Sequence, residues 1–269
     1  MTRTEDYHVE RFTKAREMIT DAVNMSKYYN HIIGLIEYDV TKGVEIIAKH
    51  REKTGERLSF TSWVMKCIGQ AVSENKVVQT FRKGRRKMIV FHDVDIKCLV
   101  EKQIKDRKVP IVYIIRKADK KSFKEINDEI RSAQKYDDDQ REKERKVKNT
   151  QKLLMKVPQF IRRKVVWGSI MTNPFKIRKH FGTVGCTSMG MMGKGITGWA
   201  IPKTMHSTTF AIAGIVKKPV VRDDKIVIRD ILHVVVEFNH NVVDGAPAVR
   251  CVARLYELLN EAYGLEDYM

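Results

Sequence analysis

Glu237-Phe238-Asn239-His240-Asn241-Val242-Val243-Asp244-Gly245 is the stretch on which the fold of this chain turns. Before it, Lys225 to Phe238 is rich in β-branched and apolar residues, the signature of a strand, so His240 arrives at a strand end. A short turn follows, and Asp244-Gly245 opens a helix reaching about Tyr263, with Val249, Val252, Ala253, Leu255, Tyr256 and Leu259 expected to face inward. An aspartate there can cap the helix by accepting backbone N–H bonds, and it can fix the loop that carries His240. An imidazole titrates near neutrality and suits general-base work. A strand-end histidine also has a plain structural reading, and H-x-x-x-D-G by itself does not separate the two.

The preceding chain alternates helices and strands. Residues 8–27 have helical apolar spacing, and Asn30 to Asp39 reads as a strand. Thr41 to Glu52 is a helix with Val44, Ile47 and Ala48 on one face. Ser59-Phe60-Thr61-Ser62 starts another, striped by Trp63, Val64, Cys67, Ile68, Ala71 and Val72. Met88 to Glu101 is strand-like, broken by Asp93 and Asp95, and Val109 to Ile115 is a further strand. Asp119 to Gln134 is helical, and the tendency runs on through a charged stretch to about Met155. Pro158 and Pro174 bracket a segment read as irregular, basic and aromatic.

From Phe181 glycines crowd the chain (Gly182, Gly185, Gly190, Gly193, Gly195, Gly198), which implies tight turns and close backbone approach. Their spacing fits neither G-x-G-x-x-G nor the Walker A loop. Strands Thr208 to Val216 and Lys225 to Phe238 flank a turn at Arg222-Asp223-Asp224. Interleaved elements without a Pro/Gly/Ser-rich linker predict one α/β domain over 1–269, with a charged helical extension or insertion at about 136–180.

Composition narrows the function. The 269 residues, 43% of them hydrophobic, suffice for a substantial core, and no apolar run approaches the roughly 20 residues of a membrane helix. The N-terminal residues show no secretory h-region. Cys67, Cys98, Cys186 and Cys251 lie far apart without a C-x-x-C pair, which predicts buried free thiols in a reducing, cytoplasmic setting and no metal site. The net charge of +18 favours anionic partners: nucleic acid, an acidic membrane surface, or a phosphorylated cofactor such as coenzyme A. The basic residues cluster at Arg82 to Lys87 around Gly84, at Arg141 to Lys148, and at Arg162-Arg163-Lys164 followed by Lys176, Arg178 and Lys179. They read first as a solvated surface and second as nucleotide-phosphate contacts; no nucleic-acid-binding motif is present.

The segment around His240 resembles the active-site signature of the chloramphenicol acetyltransferase-like fold, shared by the acyltransferase cores of 2-oxo acid dehydrogenase complexes. The resemblance extends in order along most of the chain. Met25-Ser26-Lys27 and His31 to Thr41 look like the family's Ser-Lys, Pro-His, first strand and Asp-Val-Thr. Ala118 to Ser122 is similar to the stretch after its Val-Pro-Val-Ile strand, and Gly182 to Gly190 to its Gly-Thr-Phe-Thr-Ile-Ser-Asn-Leu-Gly. Ala211 to Ile215 with Lys218-Pro219-Val220 resembles its next strand and turn.

That resemblance implies a two-layer sandwich, a mixed β-sheet with helices packed on it. It implies acyl transfer between coenzyme A, as substrate, and a thiol of dihydrolipoyl type or another small acceptor. His240 would be the general base, and no covalent acyl-enzyme would form. The family's oxyanion serine aligns onto Thr187, with Ser188 adjacent as reserve, and Asp244 would orient the His240 loop. In the family the histidine and the hydroxyl come from different subunits of a trimer, so the active sites are expected at the interfaces of a homotrimer. Which residues contact coenzyme A is left open.

The departures are specific. The family's Asp-His-Arg reads Asn239-His240-Asn241, which removes both flanking charges, and Asn30 stands in place of the proline before His31. Thr187 in place of serine keeps the hydroxyl but adds a methyl group. No lipoyl domain, lipoyl group or subunit-binding domain is expected on this chain, so its lipoyl carrier would be free or borrowed. One alternative is a non-catalytic trimeric scaffold or acyl-coenzyme A-binding protein. A lesser one is nucleic-acid binding through 141–180. His206 reads as structural or substrate-contacting, His31 as structural, and His233 lies on the opposite alternation face from His240, which argues against a metal pair. Met189, Met191 and Met192 are expected to pack beside the glycine-rich loop.

Overall fold

The computed structural model describes residues 7–104, 107–134, 157–188 and 197–269. Among these, strands β1 (His31–Asp39), β2 (Thr80–Lys83), β3 (Lys87–Val90), β4 (Ile96–Ile104), β5 (Arg107–Ile115), β6 (Val184–Ser188), β7 (Thr208–Arg222) and β8 (Lys225–Asn239) follow in chain order. The helices are α1 (Lys14–Met25), α2 (Thr41–Thr54), α3 (Phe60–Glu74), α4 (Phe123–Gln134), α5 (Gln159–Ile161), α6 (Gly168–Met171), α7 (Pro174–Phe181) and α8 (Gly245–Asn260). A π-helical stretch, Arg162–Trp167, joins α5 to α6.

Six strands form one mixed sheet in the order β1-β8-β7-β6-β4-β5, with β6 parallel to β4 and β7 and the other neighbours antiparallel. β2 and β3 make a separate hairpin around Gly84, at the centre of the first basic cluster. The β7–β8 hairpin closes through Asp223 and Asp224, both at positive φ (48° and 58°), a two-residue turn whose twist suits the strands it joins. One register row crosses the whole sheet: Ile33, Glu237, Thr209, Gly185, Lys97 and Ile114.

Strand alternation divides that sheet into two unlike faces. On one, Leu232, Val234, Val236 and Phe238 of β8 join Phe210, Ile212, Cys98, Val100 and Cys186 in the main core, packed beneath α3, α4 and α8. Burial of each large apolar side chain there contributes about 1.5–3 kcal/mol. Trp63 anchors α3 by donating its indole N–H to the Tyr263 carbonyl at 2.9 Å. A Cβ at Gly43 would lie 2.1 Å from the Trp63 ring, so α2 can approach α3 this closely only without a side chain there. The opposite face leaves Ile33 45% and Leu35 51% exposed.

Several expectations are corrected. The first helix begins at Lys14, where the Thr13 hydroxyl accepts from the Arg16 amide, rather than at residue 8. Residues 159–171 are helical, not irregular. Pro158 and Pro174 bracket the segment because each sits at a helix start, where a missing N–H costs no hydrogen bond. On α8 the inward stripe is Ala248, Cys251, Leu255, Leu258 and Leu259; Val249 is 68% exposed and Ala253 is also exposed. On α2 it is Ile46 that is buried and Ala48 that is exposed. β7 extends six residues beyond Val216, to Arg222. The charged stretch 136–155, the cluster Arg141 to Lys148, and Met189, Gly190, Met191, Met192, Gly193 and Gly195 lie outside the described residues.

Candidate active site

β8 pairs with β1 to its last residue, Asn239 opposite His31, and the ladder closes when His240 donates its amide to the Asn30 carbonyl at 2.7 Å. The turn is then wound on Asn239. Its carbonyl accepts from the Val242 and Val243 amides (3.1 and 3.0 Å), and its side-chain oxygen accepts from the Asn241 amide at 3.2 Å. The Asn241 side chain receives the Asn30 amide at 2.9 Å and donates to the Tyr28 carbonyl at 3.4 Å. Neutral hydrogen bonds between Asn30, Asn239 and Asn241 thus hold the loop.

The His240 ring is exposed, and its Nδ1 lies 3.1 Å from the Val243 carbonyl. A carbonyl can only accept, so Nδ1 carries the proton in neutral imidazole and Nε2 presents a lone pair. Asp244 occupies the N-cap position of α8, as expected, but its carboxylate makes no capping hydrogen bond. The side chain remains exposed, near the positive end of the helix dipole. The contact that orients the His240 ring is the Val243 carbonyl, not a carboxylate.

Thr187 and Ser188 end β6 and are half-buried. Thr187 pairs with Ala211, and Ala211 with Val235, which pairs with Leu35, so its side chain belongs to the open face. Ser188 pairs with Ile212, a core residue, and belongs to the other face. The start of β6 is fixed from below. Asp95 accepts from Arg116 (3.0 Å) and Arg178 (2.8 Å), and its carbonyl accepts from the Thr183 and Val184 amides. A Cβ at Gly182, where φ is 75°, would meet the Asp95 carbonyl at 2.5 Å.

Within one chain His240 and Thr187 do not meet. Two strand spacings separate Thr187 from Val235, about 10 Å, and five residues, about 16 Å, separate Val235 from His240 along the chain, giving about 19 Å.

The three other histidines singled out in the sequence sort clearly. His206 is buried and donates Nε2–H to the Phe181 carbonyl at 2.8 Å while Nδ1 accepts from Thr204, which in turn accepts from Thr209. Burial, reinforced by Lys97, lowers its pKa to about 3, so it is a neutral structural group. His31 donates to the His206 carbonyl at 3.0 Å and stacks on Tyr29. His233 stacks under Trp199 with ring centroids 4.3 Å apart. The thiols of Cys98 and Cys251 are pushed up by burial to about 12, and those of Cys67 and Cys186 are raised as well, which leaves no thiolate nucleophile beside Thr187.

Glu237 is a group that sequence reasoning missed. It is buried on β8 within the register row, its Oε1 has no hydrogen-bond partner among the described residues, and desolvation raises its pKa to about 7. A carboxylate inside the apolar run Ile231 to Phe238 was the available signal. The third basic cluster is also redistributed. Arg162 and Arg163 pair with Asp21 at 2.6 and 2.7 Å, and Arg178 pairs with Asp95 and Asp93, so all three arginines are engaged in ion pairs, Arg162 fully buried and the other two part-exposed.

Solved structures share this architecture. A probable dihydrolipoamide acetyltransferase from Listeria monocytogenes matches with a TM-score of 0.68 at 20% identity, covering 96% of both chains. Azotobacter vinelandii dihydrolipoamide acetyltransferase matches with a TM-score of 0.68 at 17% identity, over 96% of this chain and 93% of the other. The chain therefore shares the fold of these two proteins. The family model described as 2-oxoacid dehydrogenases acyltransferase (catalytic domain) matches residues 4–152 and 179–265, and the chain belongs to that family. The dihydrolipoyllysine-residue acetyltransferase component of the Bacillus subtilis pyruvate dehydrogenase complex is 23% identical over 265 residues, 94% of this chain and 50% of the relative. The chain thus spans about half the length of that relative. No helix among the described residues is long and apolar enough to cross a membrane.

Proposed function

We propose that this chain is a coenzyme A-dependent acyltransferase that moves an acyl group directly between acyl-coenzyme A and a thiol of dihydrolipoyl type or a comparable small acceptor. The observation that carries the proposal is the His240 ring, exposed at the end of β8 with Nδ1 committed to the Val243 carbonyl and Nε2 free. Nε2 takes the proton of the attacking thiol as its sulfur adds to the thioester carbonyl. The tetrahedral oxyanion accepts a hydrogen bond from the Thr187 hydroxyl, on the open face, in preference to Ser188. Collapse breaks the original carbon–sulfur bond, and the departing thiolate recovers the proton from Nε2. The raised thiol pKa values support direct transfer over an acyl-cysteine route.

The separation of about 19 Å supports a site shared between copies, His240 from one subunit and Thr187 from its neighbour, in a homotrimer. The half-exposed apolar residues of the open sheet face would be covered in such an assembly. Free, buried cysteines are in keeping with a reducing compartment such as the cytoplasm.

The test is thioester turnover. Protein is mixed with acetyl-, propionyl- or longer acyl-coenzyme A and dihydrolipoamide, and thiol release is followed against His240→Ala. Turnover that falls by several orders of magnitude in an intact His240→Ala oligomer is the expected result; equal turnover overturns the role of His240. Binding of acyl-coenzyme A with no turnover for any acceptor would favour the non-catalytic scaffold.

A further inference from the structure

Residues 199–204, on the way from β6 to β7, form a strap against the sheet face that carries Thr187. Trp199 stacks on His233 with ring centroids 4.3 Å apart, and the Thr204 hydroxyl meets that of Thr209 at 2.8 Å. Thr209 is the register partner of Glu237. His233 and Glu237 lie four residues apart on one face of β8, so the strap runs alongside that strand, over Val235. Val235 and its register partner Ala211 are wholly buried there. Among the described residues no backbone–backbone hydrogen bond holds 199–204 in place; side chains at its two ends do.

Glu237 lies beneath the strap, buried, with its Oε1 unpartnered among the described residues. The titratable and charged groups on the elements around it are few. β1 presents His31 and Glu37, the strap and its continuation present Lys203 and His206, and β8 itself presents His233. Lys97 stands three strands away at the far side of the register row. Of these, the exposed Lys203 eases ionisation of Glu237, and desolvation outweighs it.

We propose that residues 199–204 are a proton-operated lid beside Thr187, closed while Glu237 is protonated and lifted when it ionises. With the lid down, the carboxyl is cut off from water and its pKa is raised to about 7. With the lid up, the carboxyl is hydrated and returns toward the ordinary 4.5. The closed form therefore holds the proton more tightly. Closure is fully favoured below about pH 4.5 and is lost progressively as pH rises to about 7. The lid stands independently of the acyl-transfer reading; only its control of access to a reacting Thr187 rests on that reading.

The test is hydrogen–deuterium exchange of the full chain at about pH 6 and pH 8, corrected for the intrinsic pH dependence of amide exchange. Wild type is compared with Glu237→Gln, assembly is checked by size, and thioester turnover is measured on the same samples. The strap amides of wild type should open about tenfold more readily at the higher pH, while those of α3 keep their protection. Glu237→Gln, which has no proton to lose, should show no such change. Equal corrected rates at both pH values, the same rise in Glu237→Gln, or a parallel rise in α3 each overturn the lid. A Glu237-dependent response without acyl transfer upholds the lid and removes the proposed reaction; transfer without that response does the reverse.

Discussion

Asn30 donates its side-chain amide to Asn241 at 2.9 Å across 211 residues of sequence, and the Asn241 side chain passes the connection on to the Tyr28 carbonyl. The bond ties the elbow before β1 to the turn that carries His240, and it does so with neutral groups. Such a bond is worth about 0.5–1.5 kcal/mol, enough to bias a loop without deciding the fold.

Asn241→Ala is therefore expected to leave assembly and thermal stability nearly unchanged while lowering kcat by about tenfold, since His240 loses its lateral support. Asn241→Asp, which retains the acceptor for Asn30, should recover part of the loss. A variant that matches wild type in kcat would show that the Val243 carbonyl alone positions the ring.

The distance between His240 and Thr187 predicts complementation. His240→Ala and Thr187→Ala should each be nearly inactive, the second by about 10²-fold. Trimers refolded from an equal mixture should regain about a quarter of wild-type activity, because one interface in four then combines both intact residues. Absence of recovery in verified mixed trimers would place the site within a single chain. Ser188→Ala, on the core side, should have little effect on kcat.

Glu237 gives stability a pH dependence of defined sign. Its folded pKa near 7, against 4.5 for an ordinary glutamate, means that the folded chain holds the proton more tightly. Its contribution therefore declines as pH rises from about 4.5 to about 7 and stays low above that, by up to about 3 kcal/mol. Glu237→Gln should be close to wild type at pH 4.5 and more stable at pH 8, measured by denaturant unfolding. The same difference at both pH values would mean that the carboxyl titrates normally.

Asp21 and Arg162 are both buried, Arg162 at 2% exposure, and burial by itself would raise the aspartate pKa. Hydrogen bonds from Arg163 and Arg162 outweigh that and hold it low. Asp21→Ala leaves the buried Arg162 guanidinium with the 3.5 Å contact to the Glu17 carboxylate as its only ion pair among the described residues and should destabilise the chain by about 3 kcal/mol. Arg162→Met with Asp21→Asn should recover much of the loss, as a drop in Tm followed by its partial return would show.

Local features of the fold are legible in the residues. The strand–turn–helix around His240, the Asp223-Asp224 hairpin, the Gly84 turn and the stripe of α3 all arise from spacing and turn chemistry over a few positions. Pro158 and Pro174 do punctuate the chain, but each starts a helix instead of bounding an irregular segment. A proline fits the first turn of a helix as readily as a loop, so the residue alone does not distinguish the two.

By itself the sequence determined the class of fold, the place of His240 at a strand end, and the alternation that puts His233 and Glu237 on one face. Those are consequences of a period of two along a strand and of residue types at fixed offsets. Only the tertiary structure decided which strands are neighbours, that Thr187 rather than Ser188 belongs to the open face, that Asn30 supports Asn241, and that Arg162 and Arg178 are consumed in ion pairs. Each of these depends on register between segments distant in sequence, and a one-residue slip in register would turn Thr187 toward the core.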